Sequence, residues 1–269
     1  MSALAYTVSD SATMLRRNLK HQLRYPSVTV MLVGMPIVFL LLFVYVFGGQ
    51  LGAGLRAGHG PHGDRSAYLA YVVPGILIMT VASAALGTAL SVAMDMSEGI
   101  IDRFRTMAIA RGAVLTGHVI GSLIQTVIGL AIVLAVALAI GYRPTAGPLA
   151  WLGAAGMLLL FALALVCLSA ALGLAAKSVE TASNTPMFLT LLPLLSSGFV
   201  PTDTMPGGLR QFAEYQPFTP VTQTVRGLLT GTTTASHAIA AIAWSVGIAA
   251  VSYLWAVRLY DRRRATPPK

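Results

Sequence analysis

The sequence predicts an all-α membrane protein: six transmembrane helices, an amphipathic interfacial helix ahead of them, and short re-entrant or external helices before the last span. Three observations predict this class. Six apolar stretches carry almost no ionisable residue in their middles, and each is long enough to cross a hydrocarbon core of about 30 Å. Only 10% of the 269 residues are charged and 56% are hydrophobic, whereas soluble domains average about 25% charged. Lysine and arginine also gather on one side of the alternating loops. One bundle of six spans uses the whole length, so residues 1–269 read as a single transmembrane domain.

Residues 9–26 form the interfacial helix: Leu15, Leu19 and Leu23 recur at helical spacing beside Arg16, Lys20 and Arg24, and Pro26 stops it. The competing reading of this segment is a disordered basic tail. The first span, 28–47, contains Pro36, which a membrane helix tolerates when neighbours re-satisfy the backbone. It is longer than the apolar region of a cleaved leader and is read as an uncleaved helix. The loop 48–67 holds His59, His62, Asp64 and Arg65. Its glycines offer no rigid scaffold for a metal, so it reads as a solvated loop.

Span two covers 71–94, and a charged segment follows over 95–111. Span three covers 119–140, the Gly/Pro turn 142–148, span four 149–176, a polar link 177–183 and span five 185–200. Residues 201–231 have a different texture, broken by Pro201, Pro206, Gly207, Gly208, Pro217, Pro220 and Gly227. Short helices over 208–215 and 219–229 fit between these breaks. Phe199, Phe212, Tyr215 and Phe218 among polar groups suit an interfacial or re-entrant position. Span six covers 238–257 and is closed by Arg258, Arg262, Arg263 and Arg264.

With the N-terminus in the cytoplasm, 13 of the 18 basic residues lie inside and five (Arg56, Arg65, Arg143, Arg210 and Arg226) outside, which places both termini in the cytoplasm. The net charge of +9 therefore reads as topology signal and lipid-phosphate contact. Nucleic-acid binding would need a basic stripe with interleaved aromatics, which is missing from the sequence. The single cysteine, Cys167, falls inside a span and packs as a small apolar residue.

The densest charged cluster is Asp95, Glu98, Asp102, Arg103, Arg105 and Arg111. The three acids share one helical face by their spacing of three and four. A metal or acid–base site there lacks histidine and cysteine, and arginines neutralise it. The remaining readings are a solvated loop and a docking helix, the latter favoured by Phe104 and Met107 as exposed apolar knobs. The sequence holds neither GxxxxGK[ST] nor G-x-S-x-G. None of its nine acids falls mid-span, where a charge costs on the order of 3 kcal/mol. A proton- or sodium-coupled carrier would need such an acid or a broken-helix ion site. Mild polarity remains in Thr80, Ser83, Thr88 and Ser91 of span two and in Thr190, Ser196 and Ser197 of span five. Helix packing explains each by default, and a lining for amphipathic cargo is the functional alternative. Gly117 and Gly121 form a small-xxx-small pair.

The stretch EGIIDRFRTMAIARGAVLTGHV, 98–119, resembles the cytoplasmic signature of type-2 ABC exporter permeases, particularly the daunorubicin-resistance-like antibiotic exporters. The stretch SGFVPTDTMPGGLRQFAEYQPFTPVTQTVRGLLTG, 197–231, resembles their segment before the last span. The resemblance implies a bacterial plasma-membrane permease that dimerises with a second permease, like or unlike, and moves drug-like, hydrophobic or amphipathic cargo outward. A lipid or lipid-linked glycan exporter is the near alternative, and a membrane enzyme or anchor the distant one. The resemblance further implies two separate ATPase subunits that carry ATP and Mg, with no cofactor on this chain. Glu98, Gly99, Asp102, Arg103, Phe104, Arg105 and Met107, within the coupling region 95–111, would meet the ATPase, with Arg16, Arg17 and Arg24 as a second contact. Spans two and five would line the route. The segment 201–231, with Pro201, Pro206, Phe212, Pro217 and Pro220, would form the external gate. The chain departs from the family at Ala108, where proline is frequent, and at Gly208, where an aromatic is frequent. These departures imply a less sharp turn after the coupling helix and a looser external helix.

Overall fold

Two apolar helices, one with its middle enclosed and one running beside it, organise the rest of the chain. The computed structural model describes residues 26–49, 65–97, 113–176 and 178–264. Helix α1 spans Pro26–Leu41 and continues through a π-helical turn, Leu42–Phe47. It is followed by α2 (Arg65–Ser97), α3 (Ala113–Ala139), α4 (Pro148–Ala175), α5 (Val179–Asn184) and α6 (Met187–Leu191). Two 3-10 turns, Leu192–Leu195 and Thr202–Thr204, lead to α7 (Gly207–Tyr215), α8 (Phe218–Thr230) and α9 (Ala235–Arg264). Strands are absent among the described residues.

Four of these helices are long and apolar enough to cross a membrane: Ser66–Ser97, Thr116–Ala139, Pro148–Ala175 and Ala235–Leu259. The apolar part of α1, Leu32–Phe47, is shorter. Expected span five, 185–200, is not one helix. Pro186 stands at the N-terminal cap of α6 and Pro193 opens the 3-10 turn, each without an N–H to donate, and Ser196–Phe199 leave helical geometry altogether. By contrast, the helices expected at 208–215 and 219–229 are present as α7 and α8, each extended by one residue at its start. The expected interfacial helix 9–26, the loop histidines His59 and His62, and most of the coupling region lie outside the described residues.

Helix α4 packs against α9, α2, α8 and α3, while α1 lies along α2 and α3. Val72, Val73, Ile76, Ile78 and Val81 of α2, Phe161 and Leu165 of α4, and Phe218 and Leu229 of α8 are fully buried. Phe161 meets Phe218 edge to face at 5.1 Å, the geometry that the ring quadrupoles prefer. A second cluster of Val92, Ala170, Ala171, Leu174 and Ala256 joins α2, α4 and α9 at the other end. Cys167 is buried in α4 as a free thiol, packing as the sequence predicts. Helix α8 ends at Gly231, whose left-handed φ of 76° suits glycine and turns the chain directly into α9.

The faces of α9 and α1 that point away from the bundle remain apolar, with Ile239, Val251 and Val30 each exposed at 68%. A surface of that kind fits hydrocarbon rather than water.

The approach of α4 to α2 is set by small residues. A Cβ on Gly173 of α4 would lie 2.7 Å from the Ala89 carbonyl oxygen of α2. That neighbour is backbone and cannot rotate away. Gly173→Ala is expected to cost about 2 kcal/mol by forcing the helices apart. Gly156→Ala, on the same helix but with open space around it, should leave stability unchanged or raise it by about 0.5 kcal/mol. Thermal unfolding of the two variants in detergent checks the pair.

Candidate functional site

The break at Ser196–Phe199 exposes backbone groups that a helix would have paired internally, and the surrounding elements supply partners for them one at a time. The Leu195 carbonyl accepts from Gln216 Nε2 at 2.7 Å. The Ser197 N–H donates to Thr219 Oγ1 at 3.1 Å, and the Gly198 N–H donates to Ser196 Oγ at 3.1 Å. The Ser197 carbonyl accepts from the Tyr71 hydroxyl at 2.9 Å and from Arg226 Nη2 at 2.7 Å. The Tyr68 hydroxyl reaches the Phe199 carbonyl at 3.4 Å, and the Phe199 ring rests on Phe43 of the π-helical turn at 4.8 Å.

Arg226 is the centre of this junction. Its guanidinium lies 3.8 Å from the centroid of the Tyr71 ring. Nε and Nη2 both donate to the Tyr71 carbonyl, at 3.2 and 3.0 Å, and Nη2 also reaches the Gly198 carbonyl at 3.5 Å. No carboxylate pairs with it among the described residues. An arginine stays protonated in proteins, so this charge is answered by carbonyl dipoles and one aromatic face. Arg226 is placed there by α8, where it shares a stripe with the buried Phe218 and Thr222 at spacings of four and eight. On the other side, Tyr68, Tyr71 and Gly75 fall on one face of α2 by their spacing of three and four. A Cβ on Gly75 would lie 2.7 Å from the Gly198 carbonyl oxygen and 2.8 Å from its Cα, so α2 and the break touch backbone to backbone. Ser197 Oγ and Gln216 Oε1 are buried here without a partner among the described residues.

The opposite end of α2 carries a second polar contact. His118 Nε2 of α3 lies 3.1 Å from Asp95 Oδ2 in the last turn of α2, with both side chains largely buried. His118 Nδ1 is buried without a partner among the described residues. The pair sits just inside the two helix ends that flank residues 98–112.

The residues singled out from the sequence divide into three groups. Glu98, Gly99, Asp102, Arg103, Phe104, Arg105 and Met107, with Arg16, Arg17 and Arg24, lie outside the described residues. Thr80, Ser83 and Thr88 are buried within the protomer, and Ser91 is half-buried. The Thr80 and Thr88 hydroxyls return bonds to Ile76 and Ala84 of their own helix at 2.8 and 3.2 Å, and Thr190 does the same to Met187 at 2.7 Å. Ser196 and Ser197 belong to the junction. Pro201 and Pro206 precede short helical turns, Pro217 precedes α8, Pro220 is buried in its first turn, and Phe212 of α7 is 47% exposed. On α7 the Glu214 carboxylate accepts from Arg210 Nε at 2.7 Å, and that hydrogen bond and charge raise the Arg210 pKa further above its ordinary value. Arg226, Tyr71, Tyr68, Gln216 and Thr219 escaped the sequence analysis as a site. The stripe on α8 and the Tyr–Tyr–Gly face on α2 were the available signals.

Two variants separate the contributions at the junction. Tyr71→Phe removes one hydroxyl bond while keeping the ring beneath the guanidinium, and is expected to cost about 1 kcal/mol. Gly75→Ala drives a methyl into backbone and is expected to cost about 2 kcal/mol. Thermal midpoints in detergent should rank them in that order; a Gly75→Ala protein as stable as the parent would mean that the two backbones are not in contact.

Comparison with known proteins agrees with this architecture. The model of the ABC-2 type transporter family matches residues 11–230. The daunorubicin resistance ABC transporter permease protein DrrB1 of Streptomyces coeruleorubidus is 31% identical over 265 residues, covering 98% of this chain and 90% of that protein. The doxorubicin resistance ABC transporter permease protein DrrB of Mycobacterium tuberculosis is 29% identical over 167 residues, 61% of this chain and 53% of that protein. The apolar helices, the near full-length likeness and the family match lead to one assignment: the chain is a multi-pass membrane permease belonging to the ABC-2 type transporter family.

Proposed function

We propose that this permease moves a drug-like amphipathic compound out of the cell, driven by a separate ATPase that binds its cytoplasmic face. In this reading six segments cross the membrane, with 185–200 as the broken one, and both termini are cytoplasmic. Residues 98–107 and the interfacial helix 9–26 dock two ATPase subunits. A second permease, like or unlike, completes the assembly, and 201–231 is the external gate. The buried hydroxyls of Thr80, Ser83, Thr88, Ser196 and Ser197 would face cargo only after the protomer surface opens.

The observation that carries the reading is the likeness over 98% of the chain to a permease named for daunorubicin resistance. The charge distribution supports it. None of the acids lies in the middle of an apolar stretch, and a conformational cycle needs a ligand that binds its two states differently. Here that ligand is nucleotide on the partner. ATP and Mg belong to that partner.

Daunorubicin transport into vesicles reconstituted with this chain and its ATPase should require ATP and should fail with a pH or sodium gradient alone. Movement of a labelled lipid and not of daunorubicin would turn the reading toward a lipid exporter. Phe104→Ala and Glu98→Ala are each expected to weaken ATPase capture about tenfold, the effect of losing a modest interface hot spot. Unchanged capture by both variants would remove 98–107 as the docking segment.

A further inference from the structure

We infer that Arg226 is a positioning residue for transport: it fastens α2 to α8 and to the Ser196–Phe199 break, so that displacement of one end of α2 carries the 196–231 segment with it. This rests on the permease reading above and adds to it the residue through which the far end of α2 is coupled.

Four observations carry the inference. Helix α2 is continuous from Arg65 to Ser97, and the docking segment begins at the next residue. Tyr71 and Asp95 are 24 residues apart in the sequence, which is about 36 Å along a helix. One element therefore connects residues 95–97 with the Arg226 junction. At that junction the contact between Gly75 and Gly198 is backbone on backbone, without flexible side chains to absorb a shift.

The junction also straddles the one proline of α2. Tyr71 lies before Pro74 and Gly75 after it. Proline removes a helical hydrogen bond and favours bending. Arg226 holds the chain on the near side, and the Gly75–Gly198 contact holds it on the far side. The proline is thus braced from outside the helix.

The brace serves three elements at once. Arg226 donates to backbone of α2 and of the break while its own backbone belongs to α8. Its charge is answered by those carbonyls and by the Tyr71 ring, and no carboxylate forms an ion pair with it among the described residues. Separation would strand a guanidinium and two carbonyls together. Lysine would keep the charge but not the planar fork that serves Tyr71 and Ser197 at once.

The experiment compares cargo moved per ATP hydrolysed in vesicles holding the permease with its ATPase, using daunorubicin as probe. Arg226→Gln should lower that ratio at least tenfold while ATPase capture and basal ATP turnover stay within twofold. Arg226→Lys should recover part of the ratio, and Tyr71→Phe should lower it two- to threefold. Arg143→Gln, a charge change in the loop between α3 and α4, should leave it unchanged. A normal ratio in Arg226→Gln overturns the inference. If Arg226→Gln does not insert, the Lys and Phe variants decide, and parental ratios in both overturn it. If the parent complex itself moves no cargo, the transport reading fails, and a second measurement judges the junction alone. In a Cys167→Ser background, pulsed EPR between labels at Met94 and Gln211 should give a narrow distance distribution that Arg226→Gln at least doubles in width. An unchanged width overturns the inference in that case.

Discussion

A backbone that leaves the helix in apolar surroundings must find a partner for every N–H and C=O it frees, because no water is there to take them. In this protein that requirement falls on four residues, Ser196–Phe199, and it organises the end of the molecule around them. Tyr68 and Tyr71 come from α2, Thr219 and Arg226 from α8, and Gln216 from the turn before it. A neutral hydrogen bond contributes about 1 kcal/mol net and one to a charged donor about 1.5 to 3. Arg226 therefore dominates the set, since it alone among these partners is charged and alone serves two elements. The same residues that satisfy the break also fix where α2, α8 and the 3-10 turn lie relative to one another.

This explains a contrast between the two polar-bearing helical segments. In α2 the hydroxyls of Thr80 and Thr88 bond back to carbonyls four residues earlier, so each is satisfied within its own helix and asks nothing of its neighbours. Residues 185–200 meet their needs mostly by reaching other elements. The hydroxyls of α2 are thus satisfied locally, whereas the backbone of the break is defined by its contacts with other elements.

How much of this was legible depended on whether the signal was local. The spans at α2, α3, α4 and α9 follow from apolar length, and α7 and α8 follow from the positions of Pro206, Pro217 and Gly231, because prolines and glycines act on the residues beside them. Pro186 and Pro193 carried the same local information about the break, outweighed in the reading by the apolar run that contains them. The junction was harder. Arg226 is one of five basic residues on the less basic side, and a count of charges treats it like Arg210, which is half exposed and paired with Glu214. Distinguishing them requires noticing that Arg226 shares the stripe of Phe218 and Thr222, whereas Arg210 does not lie on a buried face. That inference needs the far partner, Tyr71, 155 residues away in sequence, and no pattern in one chain announces a pairing at that range. His118 and Asp95, 23 residues apart, are hidden for the same reason: the segment between them reads as a charged docking stretch, and the contact exists only once α2 and α3 pack side by side.

The two polar fastenings of α2 differ in how many elements they join. Asp95 and His118 form a contact between complementary groups that joins α2 to α3. It is a contact between two side chains near the ends of both helices. Arg226 reaches further. Its donors go to carbonyls of the break and of α2, and its guanidinium lies over the Tyr71 ring. A contact between two elements at one end and among three at the other ties α2 most extensively to the broken segment, at the end away from residues 98–112.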